Sequence, residues 1–333
     1  GLAVSGAMVF GLISLMLLDT SINVAMQPFK MLVGDMVNEE QKGQAYSIQS
    51  FLCNAGSLVG YLFPFIFAWF GIANVAPEGQ VPDTVKYAFY IGAAILILCV
   101  LFTTFKVKEM PPKEYAEFHG IDPEKKEKKA PGMFILLKNA PKTFWTVGVV
   151  QFFCWAAFLY MWTYTNGAIA DTCWGTTDVA SEGYQSAGNW VGVLFAVQAV
   201  GSMLWALVIP KFKDIKVAYV VSLLIGAAGF ASVFFLHNQY ALIASFLLIG
   251  AAWAAMLAVP FTLLTNSLSG SHIGTYLGLF NGTICLPQIA AAACGGLVLK
   301  LVGGAQVSMF LVAGVLLVLG ALSVRLVKEG KNA

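Results

Sequence analysis

The chain has 333 residues, 59% of them hydrophobic and 11% charged, with a formal net charge of +2. A mean hydropathy of +0.78 excludes an ordinary soluble domain. The small positive charge is an orientation signal for a membrane protein, and no nucleic-acid partner is expected.

A bilayer core takes about 20 apolar residues in helix. Nine such stretches follow one another, at 2–33, 44–70, 86–106, 142–168, 187–210, 216–236, 240–266, 272–300 and 305–327. Gly, Pro, Asn and charged residues separate them, which is loop chemistry. A segment in lipid must satisfy its backbone hydrogen bonds internally, so an all-α polytopic transmembrane bundle is predicted. The alternating segments of about 10 residues that build a membrane β-barrel do not occur.

The first span carries Asp19 in a stretch otherwise fit for hydrocarbon, where a carboxylate costs roughly 3 kcal/mol or more. At about 100° per residue, Asp19, Asn23, Met26 and Lys30 share a strip ~60° wide. An intramembrane acid marks a solute or ion path, so a transporter is the first reading of Asp19. Asn23, one turn on, is placed to donate to Asp19 or to a solute, or to a neighbouring helix. Lys30 lies ~16 Å further along the axis, where it suits pairing with Asp35 in an inner gate. Pro28 is expected to bend the helix.

In the second span Ser50, Asn54, Ser57 and Tyr61 line up, with Asn54 a candidate for a solute cavity. Gly56 and Gly60 there, like Gly250, Ala251, Ala254 and Ala255 later, suit close helix packing. After the third span, residues 106–142 hold nine lysines and six acids. That composition predicts a solvated linker with a short surface helix near 113–118. The chain therefore divides into 1–106 with three spans, a central loop 107–141, and 142–333 with six.

The fourth span sets Gln151, Trp155, Phe158, Trp162 and Thr165 on one face, alternately aromatic and polar. Sugars present an apolar C–H face and a rim of hydroxyls, which indoles and amides in one stripe match. The alternative is an interfacial aromatic belt. Run 174–189 is expected to be a solvated outer connection, with a lid as the sharper reading. In the eighth span Asn281, Cys285 and Gln288 share a face, and Pro287 should open the backbone there. The six cysteines have no metal-ligand spacing and read as free thiols packed as small apolar groups.

With the C-terminus in the cytoplasm, 17 of the 19 basic residues gather on the inner side and only Lys86 and Lys300 lie outside. That bias fixes the orientation. Nine spans then put Gly1 outside, opening directly into an apolar helix with no basic signal sequence. A chain lacking its first helices is expected.

The pattern Asp19-x3-Asn23-x4-Pro28-x-Lys30-x4-Asp35 resembles the fourth helix of sucrose-transporter-like proteins. These belong to the glycoside–pentoside–hexuronide:cation symporter group of the major facilitator superfamily. Residues 155–165, WAAFLYMWTYT, resemble the seventh helix of that group, and residues 250–288 its tenth and eleventh. Lys30 stands where Arg is usual, which loses bidentate geometry, and Gln27 replaces the usual Gly before the proline. The resemblance implies the major facilitator fold, with nine of twelve helices present. It also implies proton-coupled uptake of a disaccharide or related glycoside by alternating access, with Asp19 as proton carrier.

Asn23, Asn54, Gln151, Trp155, Trp162, Asn281 and Gln288 are then the substrate-binding candidates, and Lys30 and Asp35 the gate. The expected partners are a small-molecule sugar and the lipid bilayer, the expected state a monomer. No cofactor or metal is expected beyond the coupling ion, H+ ahead of Na+. One basic residue in 19 being Arg, and no outer-loop glycosylation sequon, agree with a bacterial inner membrane. A sodium-coupled melibiose-type symporter is the first alternative, and a transport-inactive sensor or scaffold the second. An enzyme is not expected, since His119, His237 and His272 fall in loops or at span ends on both sides of the membrane.

Overall fold

In the computed structural model, residues 8–36, 39–72, 81–108, 132–265 and 273–327 are described, together with 111, 114, 117 and 267. Every regular element among them is helical. The chain forms two compact units, residues 1–129 and 130–333. The surface helix expected near 113–118 falls largely outside the described residues.

The first unit holds α1 (Met8–Asp35), α2 (Glu39–Trp69) and α3 (Asp83–Lys106). Asp83 opens α3 and Lys106 closes it, each opposing the helix dipole with the favourable sign. Lys86 pairs with Asp83 at 2.9 Å one turn in. α2 continues through Pro64. The two glycines expected to pack a neighbour have none among the described residues: a Cβ on Gly56 or Gly60 would meet nothing there within 4 Å. They line an open apolar groove of about 690 Å³ between α2 and α3, with Ala55, Phe63, Ala88 and Gly92 on its walls.

The second unit begins with a short helix, α4 (Met133–Lys138), and continues with α5 (Lys142–Trp174), α6 (Glu182–Ala206) and α7 (Ile215–Phe235). It ends with α8 (Leu242–Thr265), α9 (Ile273–Phe280), α10 (Gly282–Leu301) and α11 (Ser308–Ser323). Eight helical segments among the described residues are long and apolar enough to cross a membrane, and α1 contributes a shorter apolar stretch, Val9–Ile22. The chain is an integral membrane protein.

α5 and α8 are the most enclosed helices of the second unit. α5 packs against α6, α8, α10 and α11, and α8 lies between α6 and α7. The core joins Phe144 and Phe158 of α5 to Tyr219 and Phe230 of α7, Phe246 of α8 and Phe310 of α11. Where Gly201 and Gly250 cross, no side-chain layer intervenes between α6 and α8. A Cβ on Gly250 would sit 2.4 Å from the Gln198 carbonyl oxygen, and one on Gly201 would sit 2.5 Å from that of Leu247. Here the small-residue reading of Gly250 matches the packing, because glycine alone lets two backbones approach so closely.

Two details differ from those read in the sequence. The span expected at 272–300 is present as one apolar stretch, Thr275–Leu301, with a single turn residue, Asn281, between α9 and α10. Gly278 and Gly282 flank that position and weaken the helix locally, and Thr283 Oγ1 donates to the Phe280 carbonyl at 2.7 Å. α10 itself continues through Pro287.

The outer connection is shorter than 174–189. Gly175 ends α5 in the left-handed region at φ 64°, and the Thr176 N–H reaches the Ala170 carbonyl at 3.1 Å. Ser181 then caps α6, its Oγ accepting from the Tyr184 N–H at 3.2 Å. Five residues between the two caps leave too little chain for a lid.

The described cysteines are free, but four of the six, Cys53, Cys99, Cys285 and Cys294, lie exposed on their helices and only Cys154 is fully buried.

Candidate functional site

Of the residues expected at a site, Gln151 and Trp155 come together most tightly. Both lie on the buried face of α5, Gln151 with no exposure and Trp155 at 8%. Among the described residues, neither Oε1 nor Nε2 of Gln151 has a hydrogen-bond partner, and the Trp155 indole N–H has none either. Buried polar atoms are nearly always paired, and each orphan costs about 1–3 kcal/mol. Three orphaned atoms one helical turn apart therefore mark a place built for something other than packing.

Beside them lies a cage of rings. The Trp155 and Trp253 centroids are 5.7 Å apart at 77°, and Trp253 meets Trp162 at 5.6 Å and 84°. Phe158 completes the group, 5.2 Å from Trp253 and 5.5 Å from Phe230 of α7. Edge-to-face contacts of this kind set positive ring edges on negative faces. Trp162 is 37% exposed, so the cage opens at that end. Thr165, on the same face, donates to the carbonyl of Met161.

Trp253 is the residue that the pattern along α5 cannot reveal, since it comes from α8. It is the one aromatic side chain in the run GAAWAAML, where small neighbours let α8 approach and present a single large ring. An isolated indole in such a run is the sequence signal that it left.

α10 supplies the next wall. A Cβ on Gly148 of α5 would sit 3.2 Å from Thr283 Cγ2, and one on Gly295 would meet the Tyr164 hydroxyl, so α5 and α10 run parallel. Gln288 then lies about 7 Å along α10 from Thr283, level with the turn between Gln151 and Trp155. It is half-buried, and its Nε2 donates to the Ile284 carbonyl at 3.2 Å. Asn281 is half-buried at the α9–α10 junction.

The remaining candidates belong to the first unit. Asp19 is exposed on α1 and Asn54 half-buried on α2. The side chains of Asn23, Lys30 and Asp35 lie outside the described residues. Among the described residues, no group of three or more His, Cys, Asp or Glu side chains is placed to hold a metal ion.

Residues 174–332 match the family model of the Major Facilitator Superfamily. No curated protein matches the chain. Among solved structures it is similar to a bacterial homologue of the human lysosomal transporter Spinster in an inward-facing, occupied conformation. That match has a TM-score of 0.51 and 16% identity, covering 90% of this chain and 72% of the other. The inward-facing, unoccupied conformation of such a homologue matches with a TM-score of 0.54 and 17% identity, covering 92% and 76%. The architecture is thus an all-α, polytopic bundle with the major facilitator fold.

Proposed function

We propose that the protein is a secondary active transporter that carries a disaccharide or related glycoside together with protons by alternating access. The observation that carries this reading is the orphaned Gln151 amide and Trp155 N–H beside the Trp155–Trp162–Trp253 cage. A pyranose offers hydroxyls for the amide and the indole N–H, and a C–H face for the rings. Apolar pockets with a few placed polar groups recognise small molecules this way. The transporter names of the structural neighbours support the class of function, and the α1 pattern supports the sugar.

In this reading Gln151, Trp155 and Trp162 bind substrate, joined by Trp253 and, from α10 and its junction, Gln288 and Asn281. Asn23 and Asn54 contribute polar contacts, Asp19 carries the proton, and Lys30 with Asp35 forms the gate. Residues 1–106 then supply one half of the transporter, 142–333 the other, and 107–141 the cytoplasmic link. The reading places the C-terminus in the cytoplasm and the protein, as a monomer, in a bacterial inner membrane.

The deciding experiment is sugar-driven acidification of proteoliposomes, with wild type beside Asp19→Asn across maltose, sucrose and related glycosides. Uptake of protons that follows one sugar and is lost in the variant, while exchange of labelled sugar persists, is expected. Transport that ignores pH and follows sodium would overturn proton coupling in favour of the melibiose-type alternative.

A further inference from the structure

α4 is six residues long, yet it exposes three consecutive large apolar side chains: Met133 at 54%, Phe134 at 80% and Ile135 at 55%. Its other side is fixed. Leu136 is buried at 4%, and the Tyr276 hydroxyl of α9 donates to the Leu136 carbonyl at 3.1 Å. Tyr276 is itself held edge-on to Phe144 of α5, 6.3 Å between centroids. The helix therefore cannot turn its apolar side inward, because that side would have to replace a contact already made.

Among the described residues, the charge around α4 is mostly positive. Lys138 and Lys142 are exposed at its end and at the start of α5, with Trp145 exposed one turn further at 53%. The short turns Ile209–Lys211 and Val324–Leu326 pack at this same end, against α7 and α5. They bring Lys211, Lys213, Lys216 and Arg325 to it. Asp214 is the one acid among the described residues there, and the opposite end carries Asp171, Asp178 and Glu182. An exposed apolar patch, an interfacial indole and a collar of cations together match a membrane surface with negative headgroups.

We propose that α4 is an anchor for anionic phospholipid in the leaflet at this end. Met133, Phe134 and Ile135 enter the boundary between headgroups and acyl chains, while Lys138 and Lys142 take the lipid phosphates. The occupant is lipid rather than free phosphate because cations and exposed apolar side chains lie side by side on one short element. This site is independent of the solute carried.

The test places an environment-sensitive fluorophore on Phe134→Cys, in a background with the six native cysteines replaced. The protein is reconstituted into nanodiscs of phosphatidylcholine alone or with one quarter phosphatidylglycerol. Blue-shifted emission quenched by brominated acyl chains is expected, and Met133→Cys gives the same readout if position 134 does not tolerate the label. Water-like emission quenched by aqueous iodide would overturn the anchor, as would shielding that appears only through contact with a second copy.

Lipid retention by native mass spectrometry tests the charge. Lys138→Gln and Lys142→Gln should each lower phosphatidylglycerol retention about fivefold and leave phosphatidylcholine unchanged. Equal loss of both lipids, or of neither, would overturn the choice of an anionic headgroup.

Discussion

Trp155 of α5 and Trp253 of α8 meet edge to face, 5.7 Å between ring centroids and 77° between ring planes, although 98 positions separate them in the chain. The edge of one ring covers a face of the other, and the group is exposed at the end where Trp162 stands. A stacked aromatic pair contributes about 0.5–1.5 kcal/mol beyond burial. On the proposed function, Trp253→Phe should therefore keep the fold and weaken binding of the transported sugar by a few-fold to about tenfold, measured as quenching of tryptophan fluorescence on titration with sugar. Unchanged affinity would remove Trp253 from the site.

Gln151 gives a prediction in which stability and function part. Gln151→Leu keeps a similar volume and removes two buried polar atoms without partners, each costing about 1–3 kcal/mol. The variant should melt higher in detergent and transport poorly, as happens when a site is bought at the expense of the fold. A lower melting temperature would assign Gln151 to structure.

The glycines divide into two kinds that one substitution separates. Gly250→Ala places a methyl group 2.4 Å from the Gln198 carbonyl oxygen and 2.7 Å from the Ser202 nitrogen. Overpacking of this kind costs about 1–3 kcal/mol or more, and the expected readout is a lower thermal midpoint. Gly56→Ala meets open space and should raise helix stability by roughly 0.5–1 kcal/mol.

The α5–α6 connection offers a third comparison. Ser181→Ala removes the oxygen that accepts from the Tyr184 N–H and should cost about 0.5–2 kcal/mol. The loss should appear as faster hydrogen exchange in the first turn of α6, with sugar affinity unchanged. A change in affinity would restore a lid role to this connection.

Much of the fold was legible because hydropathy in lipid is a one-dimensional property: the length of an apolar run fixes a span wherever its neighbours lie. The α5 face was legible for the same reason, since helical periodicity alone aligns Gln151, Trp155 and Trp162. What escaped depends on other helices. Trp253 joins the cage through an approach that α5 does not encode. Gly56 and Gly250 look alike in sequence, yet one borders a groove and the other touches a backbone.

The contact of Gly201 and Gly250 across α6 and α8 has a mechanical consequence. Two backbones that touch directly cannot slide along each other without a carbonyl oxygen striking a main-chain atom, so this seam is stiff in shear. Side chains, by contrast, yield by rotating. α6 is therefore expected to follow any tilt of α8 as one body.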